Sequence, residues 1–318
     1  MQEQKVKIVF FGTPDFAVHT LRAICDAGHH VAAVVTAPDR PAGRGLKMAE
    51  PAVKTFAVER GLPILQPQSL RDASLLEQLR ELKPDIFVVV AFRMMPQCLW
   101  SLPRLGSFNL HASLLPQYRG AAPINWAVIN GETTTGVTTF MLNERIDEGE
   151  LLLQESTPIT PADNAGTLHD RLAEIGSRLV LRTIDGLADG SLHPTPQQVP
   201  PLLHPAPKIF KPDCAIDWRK GGDAIVNHVR GLAPYPAATM TLCDTEGREN
   251  TFKVYEATFK PDPNAVPFCV NSDQKTYLKI GINSGFINIL SLQPSGKRQM
   301  SVEEFLRGRI IKDWKLIY

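Results

Sequence analysis

Between Val6 and Phe11 the only polar side chain is Lys7, a pattern that predicts a strand buried on both faces of a parallel sheet. Gly12-Thr13-Pro14-Asp15 ends that run, and a helix is expected from about Phe16 to Ala27, with Pro14 and Asp15 suited to its first turn. Gly28-His29-His30 then turns the chain into a second strand, Val31 to Thr36, completing a βαβ opening. The alternation continues with helical spacing from Pro51 to Arg60, a short strand from Leu62 to Leu65, a helix from Asp72 to Leu82 and a buried strand from Asp85 to Ala91. Ser107 to Leu110 is compact, follows the turn residue Gly106 and lacks helical spacing, so it reads as another strand. Pro123 to Asn130 is expected to be helical, with β-branched or apolar strands at Gly136–Leu142 and Leu151–Ser156. Leu168, Leu172, Ile175, Leu179 and Leu187 recur mostly three or four apart and mark a long core-packing helix begun near Asp163.

From Pro194 to Pro207 six prolines stand in fourteen positions, which predicts a semi-rigid connector. Beyond it lie a helix around Gly222 to Arg230 and strand-like runs at Ala237–Leu242, Thr251–Phe259, Tyr277–Ile280 and Phe286–Leu292. Short strands separated by turn signals suggest a small closed barrel. The expected fold class is therefore α/β: a Rossmann-like, mostly parallel sheet over residues 1–190, a Pro-rich linker over 191–207 and a small β-barrel domain over 208–318.

Composition narrows the functions. At 318 residues the chain has room for two cores, and 43% hydrophobic with 21% charged residues is ordinary for a soluble protein. No apolar run approaches the ~18–20 residues of a membrane span, and the N-terminus lacks the layout of a signal peptide. Cys25, Cys98, Cys214, Cys243 and Cys269 lie far apart, so reduced thiols in the cytoplasm are expected and no metal site is indicated. A net charge of +1 argues against a protein that coats nucleic acid, yet the segment from Lys208 onward holds sixteen Lys and Arg against twelve Asp and Glu. That mild basicity permits contact with a polyanion. Lys297, Arg298, Arg307, Arg309 and Lys312 could track phosphates or simply face solvent. With only Gly12 in the first βα turn, the dinucleotide fingerprint is missing. Nothing calls for an oligomer, so a monomer is expected.

Candidate chemistry concentrates after Gly106. In an extended chain residues two apart share a face, so Asn109 sets an amide beside His111, the side-chain type that titrates near neutrality. The pair suits a reaction in which a carbonyl oxygen gains negative charge while a nearby nitrogen exchanges a proton. Alone, Asn-x-His on a strand is more often a satisfied buried pair. The longer run Asn109-Leu-His111-Ala-Ser113-Leu114-Leu115-Pro116, followed by Arg119-Gly120-Ala-Ala-Pro-Ile, resembles the signature of the folate-dependent formyltransferases.

That resemblance covers nearly the whole chain, implies that the C-terminal barrel is an OB-like, tRNA-binding domain, and carries further expectations. Asp147 matches the family's catalytic aspartate, although Ile146-Asp147-Glu148-Gly149 stands where many relatives read Leu-Asp-Thr-Gly; read in isolation, an Asp-x-Gly is more often a turn. Ser113, Leu114, Leu115 and Pro116 are expected to line the folate site, as are Phe92 and Arg93, where the family commonly has an aromatic-Gly pair. The implied reaction moves a formyl group from 10-formyltetrahydrofolate, as co-substrate, to a primary amine. Asn109 would steady the developing oxyanion, His111 relay protons, and Asp147 orient the imidazole; no metal is required because the donor is already activated.

The acceptor is implied by a second stretch. Thr36 to Lys47 carries two prolines, two glycines, Arg40, Arg44 and Lys47, which predicts an irregular loop able to follow phosphates. It resembles the loop with which tRNA-specific formyltransferases enter the acceptor arm, with Arg44 as leading contact, and so points to initiator methionyl-tRNA as partner. Alternatives sharing the same triplet are a UDP-aminosugar formyltransferase and a 10-formyltetrahydrofolate hydrolase; a non-catalytic RNA-binding relative is a third.

Overall fold

The computed structural model describes residues 6–42 and 47–318. Two compact units emerge: one comprises Met1–Gly120, Thr135–Pro158 and His169–Pro205, the other Ala121–Thr134, Ile159–Leu168 and Ala206–Tyr318.

The first unit begins with strand β1 (Lys7–Gly12), helix α1 (Asp15–Asp26) and strand β2 (His30–Val35). Helix α1 buries Phe16, Ala17, Thr20, Leu21 and Ile24, the stripe that i, i+4 spacing puts on one face. Next come the short strands β3 (Arg40–Ala42) and β4 (Lys47–Ala49), helix α2 (Ala52–Glu59), strand β5 (Ile64–Leu65) and helix α3 (Ala73–Glu81). Asp72 caps α3 by accepting a hydrogen bond from the Ser74 N–H at 2.9 Å. Strand β6 (Ile86–Val90) is buried at every position, as its unbroken Ile-Phe-Val-Val-Val predicts. The single-turn helix α4 (Gln97–Trp100) and strand β7 (Ser107–His111) complete the run of parallel strands.

Helix α5 (Pro123–Ile129) belongs to the second unit, after which strands β8 (Thr134–Met141) and β9 (Leu151–Pro158) extend the first sheet. The strand order is β5-β2-β1-β6-β7-β8-β9. The pairings among β5, β2, β1, β6 and β7 are parallel, and β8 runs antiparallel to β7. Because β1 neighbours both β2 and β6, the topology reverses there, and ligands of such sheets bind beyond the carboxyl ends of the strands at that reversal. The long helix α6 (Ala165–Ala188) lies close to β7: a Cβ on Gly176 would stand 2.7 Å from a methyl of Leu110.

One expectation needs correcting. The proline- and glycine-rich stretch after β2 is not wholly irregular, since β3 and β4 form a two-stranded antiparallel ribbon pairing Arg40 with Ala49 and Pro41 with Met48. In a two-stranded ribbon both strands are edges, so a proline without an N–H is tolerated.

The second unit holds helix α7 (Gly222–Leu232) and strands β10 (Ala238–Cys243), β11 (Glu249–Pro261), β12 (Val270–Ser272), β13 (Leu278–Ile282), β14 (Gly285–Pro294) and β15 (Met300–Ser301). Helix α8 (Val302–Arg307) and strand β16 (Lys315–Ile317) end it. The order β12-β13-β14-β11-β10-β16 is antiparallel throughout, with β15 added to β14. This is a nearly closed, OB-like barrel. Among the described residues the strand order does not return from β16 to β12; instead the rings of Phe268 and Tyr318 stack with centroids 4.0 Å apart. Alternation decides the interior: Ala238, Met240 and Leu242 point in, and the intervening Thr239 and Thr241 are only partly buried.

Candidate active site

Strand β7 delivers Asn109 and His111 to the carboxyl edge of the sheet, on one face of the strand. His111 is 7% exposed at its side chain, and its Nε2 lies 2.8 Å from the carbonyl oxygen of Tyr118. A carbonyl only accepts, so Nε2 carries the hydrogen. Nδ1 therefore holds the free lone pair of the neutral ring, and it stands 3.8 Å from the Asp147 Oδ2. That separation is too long for a hydrogen bond, and Asp147 is itself only 12% exposed, so a protonated imidazole would face the carboxylate with little intervening solvent. Asp147 Oδ2 also accepts the Gly120 N–H at 2.8 Å. Two segments far apart in sequence thus meet at one imidazole.

The turn that carries Asp147 is unusual. Asp147 has φ +55°, a left-handed conformation that aspartate tolerates better than most residues. Gly149 has no space for a side chain, since a Cβ there would fall 1.6 Å from the Met141 carbonyl oxygen. Asn109 is half-buried, and its Oδ1 is buried without a hydrogen-bond partner, so the amide retains unspent polar capacity at the strand's end.

The remaining predicted residues fall into groups. Ser113 is fully buried, and its hydroxyl donates to the Gln117 carbonyl at 2.6 Å. Leu115 and Pro116 are joined by a cis peptide bond, with the Leu115 N–H donating to the Thr138 hydroxyl and the Leu115 carbonyl accepting from Gln154. A methyl of Leu114 lies against Gly136. Phe92 packs edge-on against Phe11 at 5.6 Å, joining the core beneath β1 and β6. Arg93 donates to the carbonyls of Pro67 and Gln68 at 3.0 and 3.1 Å. Burial pushes its guanidinium pKa down, and the nearby charge of Arg40 adds to the effect. Arg93 also lines, with Gln68, Leu70, Arg71 and Met95, a hollow of about 300 Å³, at the small end of the range for ligand sites.

Of the basic residues assigned to RNA, Arg40 is exposed on β3. Arg44 and the side chain of Lys47 lie outside the described residues. The chain just ahead of β3 is fixed by Asp39, which takes a hydrogen bond from Lys54 and another from Gln66 at 2.8 Å. Those two donors, Lys54 first, hold the Asp39 carboxyl below its usual range.

Comparison with known proteins places this arrangement. The family described as formyl transferase matches residues 5–184, and its C-terminal domain matches residues 208–309. The methionyl-tRNA formyltransferase of Parabacteroides distasonis is 48% identical over 97% of each chain, and that of Phocaeicola vulgatus is 49% identical, also over 97% of each. The chain belongs to the methionyl-tRNA formyltransferase family. Among solved structures, an N-formyltransferase from Helicobacter canadensis in complex with folinic acid and dTDP-3-aminofucose superposes on this formyltransferase with a TM-score of 0.66. At 20% identity, covering 91% of this chain and 99% of that one, it shares the fold. A glycinamide ribonucleotide transformylase from Symbiobacterium toebii covers 59% of the chain with a TM-score of 0.51.

Several neighbours of the site in this formyltransferase escaped sequence reasoning. Tyr118 contributes a carbonyl rather than its ring, and Thr138 ties the Ser113 and Leu115 backbones together through one hydroxyl. Neither role leaves a signal in residue type or spacing.

Proposed function

We propose that this formyltransferase moves the formyl group of 10-formyltetrahydrofolate onto the free amine of initiator methionyl-tRNA, giving N-formylmethionyl-tRNA for translation initiation. The observation that carries the reading is the approach of Asp147 to His111 at 3.8 Å, at the carboxyl end of the strand that holds Asn109. Bound folate supplies an activated formyl carbon, so the protein's task is to position, neutralise charge and move a proton. Asn109 donates its amide hydrogen to the formyl oxygen as negative charge grows there, a contribution worth about 10²–10³ in rate. His111 keeps its Nε2 hydrogen on the Tyr118 carbonyl, while its Nδ1 accepts the amine's proton as the amine bonds to the formyl carbon and returns it to N10 as the N10–formyl bond breaks, releasing tetrahydrofolate. Asp147 stabilises the imidazolium that results.

Phe92, Arg93 and the Ser113–Pro116 turn are assigned to the folate side of the site. The hollow supports only Arg93's part of that assignment, since its lining includes neither Phe92 nor the Ser113–Pro116 turn. Arg40, Arg44 and Lys47 are assigned to acceptor-arm phosphates. Residues 1–190 would carry the chemistry, 191–207 the connection and 208–318 further RNA contact, in a cytoplasmic monomer. Among the described residues no helix is long and apolar enough to cross a membrane.

The test is formylation of charged initiator tRNA with 10-formyltetrahydrofolate. His111→Ala is expected to reduce kcat by about 10²–10⁴. A purified protein that formylates a nucleotide sugar and ignores aminoacyl-tRNA would show that the acceptor is misassigned.

A further inference from the structure

The proline-rich stretch lies against Tyr118 through His204 and reaches the Asp147 turn through Gln197. Thr195 pairs with Leu151 at the start of β9, its N–H donating at 2.9 Å and its carbonyl accepting at 2.7 Å. That pairing fixes the backbone two residues before Gln197. The Gln197 Nε2 then donates to two carbonyls, those of Asp147 at 2.9 Å and Gly149 at 2.8 Å. Its Oε1 accepts from the Arg119 Nη2 at 2.7 Å. Arg119 in turn sets Nη1 3.2 Å from the Glu148 carboxylate, and the next residue, Gly120, gives its N–H to Asp147 Oδ2. The contacts close a ring around the carboxylate that faces His111.

We propose that Gln197 is a positioning residue for Asp147, so that the connector takes part in catalysis. The proposal rests on the reading of Asp147 as the carboxylate that serves His111. Two features lift Gln197 above an ordinary surface clamp. First, it binds the carbonyls on either side of Glu148, where Asp147 holds a left-handed backbone and Gly149 is pressed against Met141. A turn freed at both carbonyls can relax, and relaxation swings the Asp147 carboxylate away from Nδ1. Second, the geometry demands an amide: two donated hydrogens toward carbonyls and one accepted from a guanidinium. A carboxylate of the same shape would still meet Arg119 but would set an oxygen against two carbonyl oxygens.

The experiment compares Gln197→Ala, Gln197→Glu and the exposed neighbour Gln198→Ala in the full chain. It reads kcat and KM for formylation of charged initiator tRNA, and hydrogen exchange at the Gly120 amide. Expected are a fall in kcat of about 10–100-fold in both Gln197 variants, KM values within about twofold, and wild-type kinetics for Gln198→Ala. Gly120 exchange should rise about tenfold or more in both Gln197 variants, because its acceptor is no longer held. Retention of kcat in the glutamate variant overturns the proposal, since that side chain lacks the donor. So does a fall in kcat with Gly120 protection intact. If Gln197→Ala fails to fold, the near-isosteric Gln197→Glu decides alone. If the wild-type protein does not formylate methionyl-tRNA, the functional reading falls, while Gly120 exchange still tests the clasp.

Discussion

Replacing Asp147 by Asn removes a charge and little else. Asn keeps an oxygen that can accept the Gly120 N–H, nearly the same volume and a tolerance for the left-handed backbone. What disappears is the attraction between the carboxylate and an imidazolium whose Nδ1 is 3.8 Å away. Coulomb's law at that distance gives about 4 kcal/mol for an effective dielectric of ~20 and about 2 kcal/mol for ~40. Both side chains are mostly buried, which favours the larger figure. The attraction exists only when His111 carries the extra proton, so the loss falls on the transition state. Expressed as a rate, kcat should drop by about 30- to 10³-fold with KM for folate and tRNA little changed. Single-turnover formylation of charged initiator tRNA, sampled by rapid quench, measures the chemical step directly. A variant that keeps its thermal transition and more than about a third of wild-type kcat would refute the electrostatic role of Asp147. So would a loss confined to KM.

Other consequences can be checked alongside it. Gly149→Ala should cost more than about 3 kcal/mol in urea unfolding, because its Cβ would sit 1.6 Å from the Met141 oxygen and the turn must move. Arg93→Ala should lower stability by about 1–3 kcal/mol through the lost bonds to Pro67 and Gln68, and should alter KM for 10-formyltetrahydrofolate more than kcat; unchanged values in both assays would remove Arg93 from the folate wall. His228, on α7, has a pKa pushed down by burial, against the pull of the Cys214 backbone. As pH falls below ~6.5 the unfolded chain gains a proton that the folded imidazole resists, so stability should fall by up to ~1.4 kcal/mol per pH unit. His228→Leu should flatten that slope, read at pH 7.5 and 5.5 by fluorescence of the buried Trp218 in the same unit; an identical slope in the variant would count against it.

Much of the first unit was legible because its strands are buried on both faces. The runs Ile-Val-Phe-Phe at β1 and Ile-Phe-Val-Val-Val at β6 leave little choice but a parallel sheet. The site was legible through a motif, which put Asn109 and His111 on one strand. The connector was another matter. Pro194 to Pro207 reads as a spacer by composition, yet Thr195 is paired to β9 and Gln197 reaches across fifty positions to the Asp147 carbonyl. The ribbon of β3 and β4 was missed because prolines and glycines outweigh any strand pattern in so short a run.

Local pattern settled what each segment of this chain would be: which stretches turn helical, which lie buried as strands, and where the backbone must stop. Those outcomes depend on periodicity and turn chemistry within windows of about ten residues, which the sequence spells out. Tertiary structure decided which atoms work together. The choice of Nδ1 over Nε2 on His111 follows from the Tyr118 carbonyl, and the carboxylate facing it comes from a turn that touches Gly120, Gln197 and Met141. Partner choice of this kind is made between segments that have no periodic relation to each other, so only the packed chain contains it.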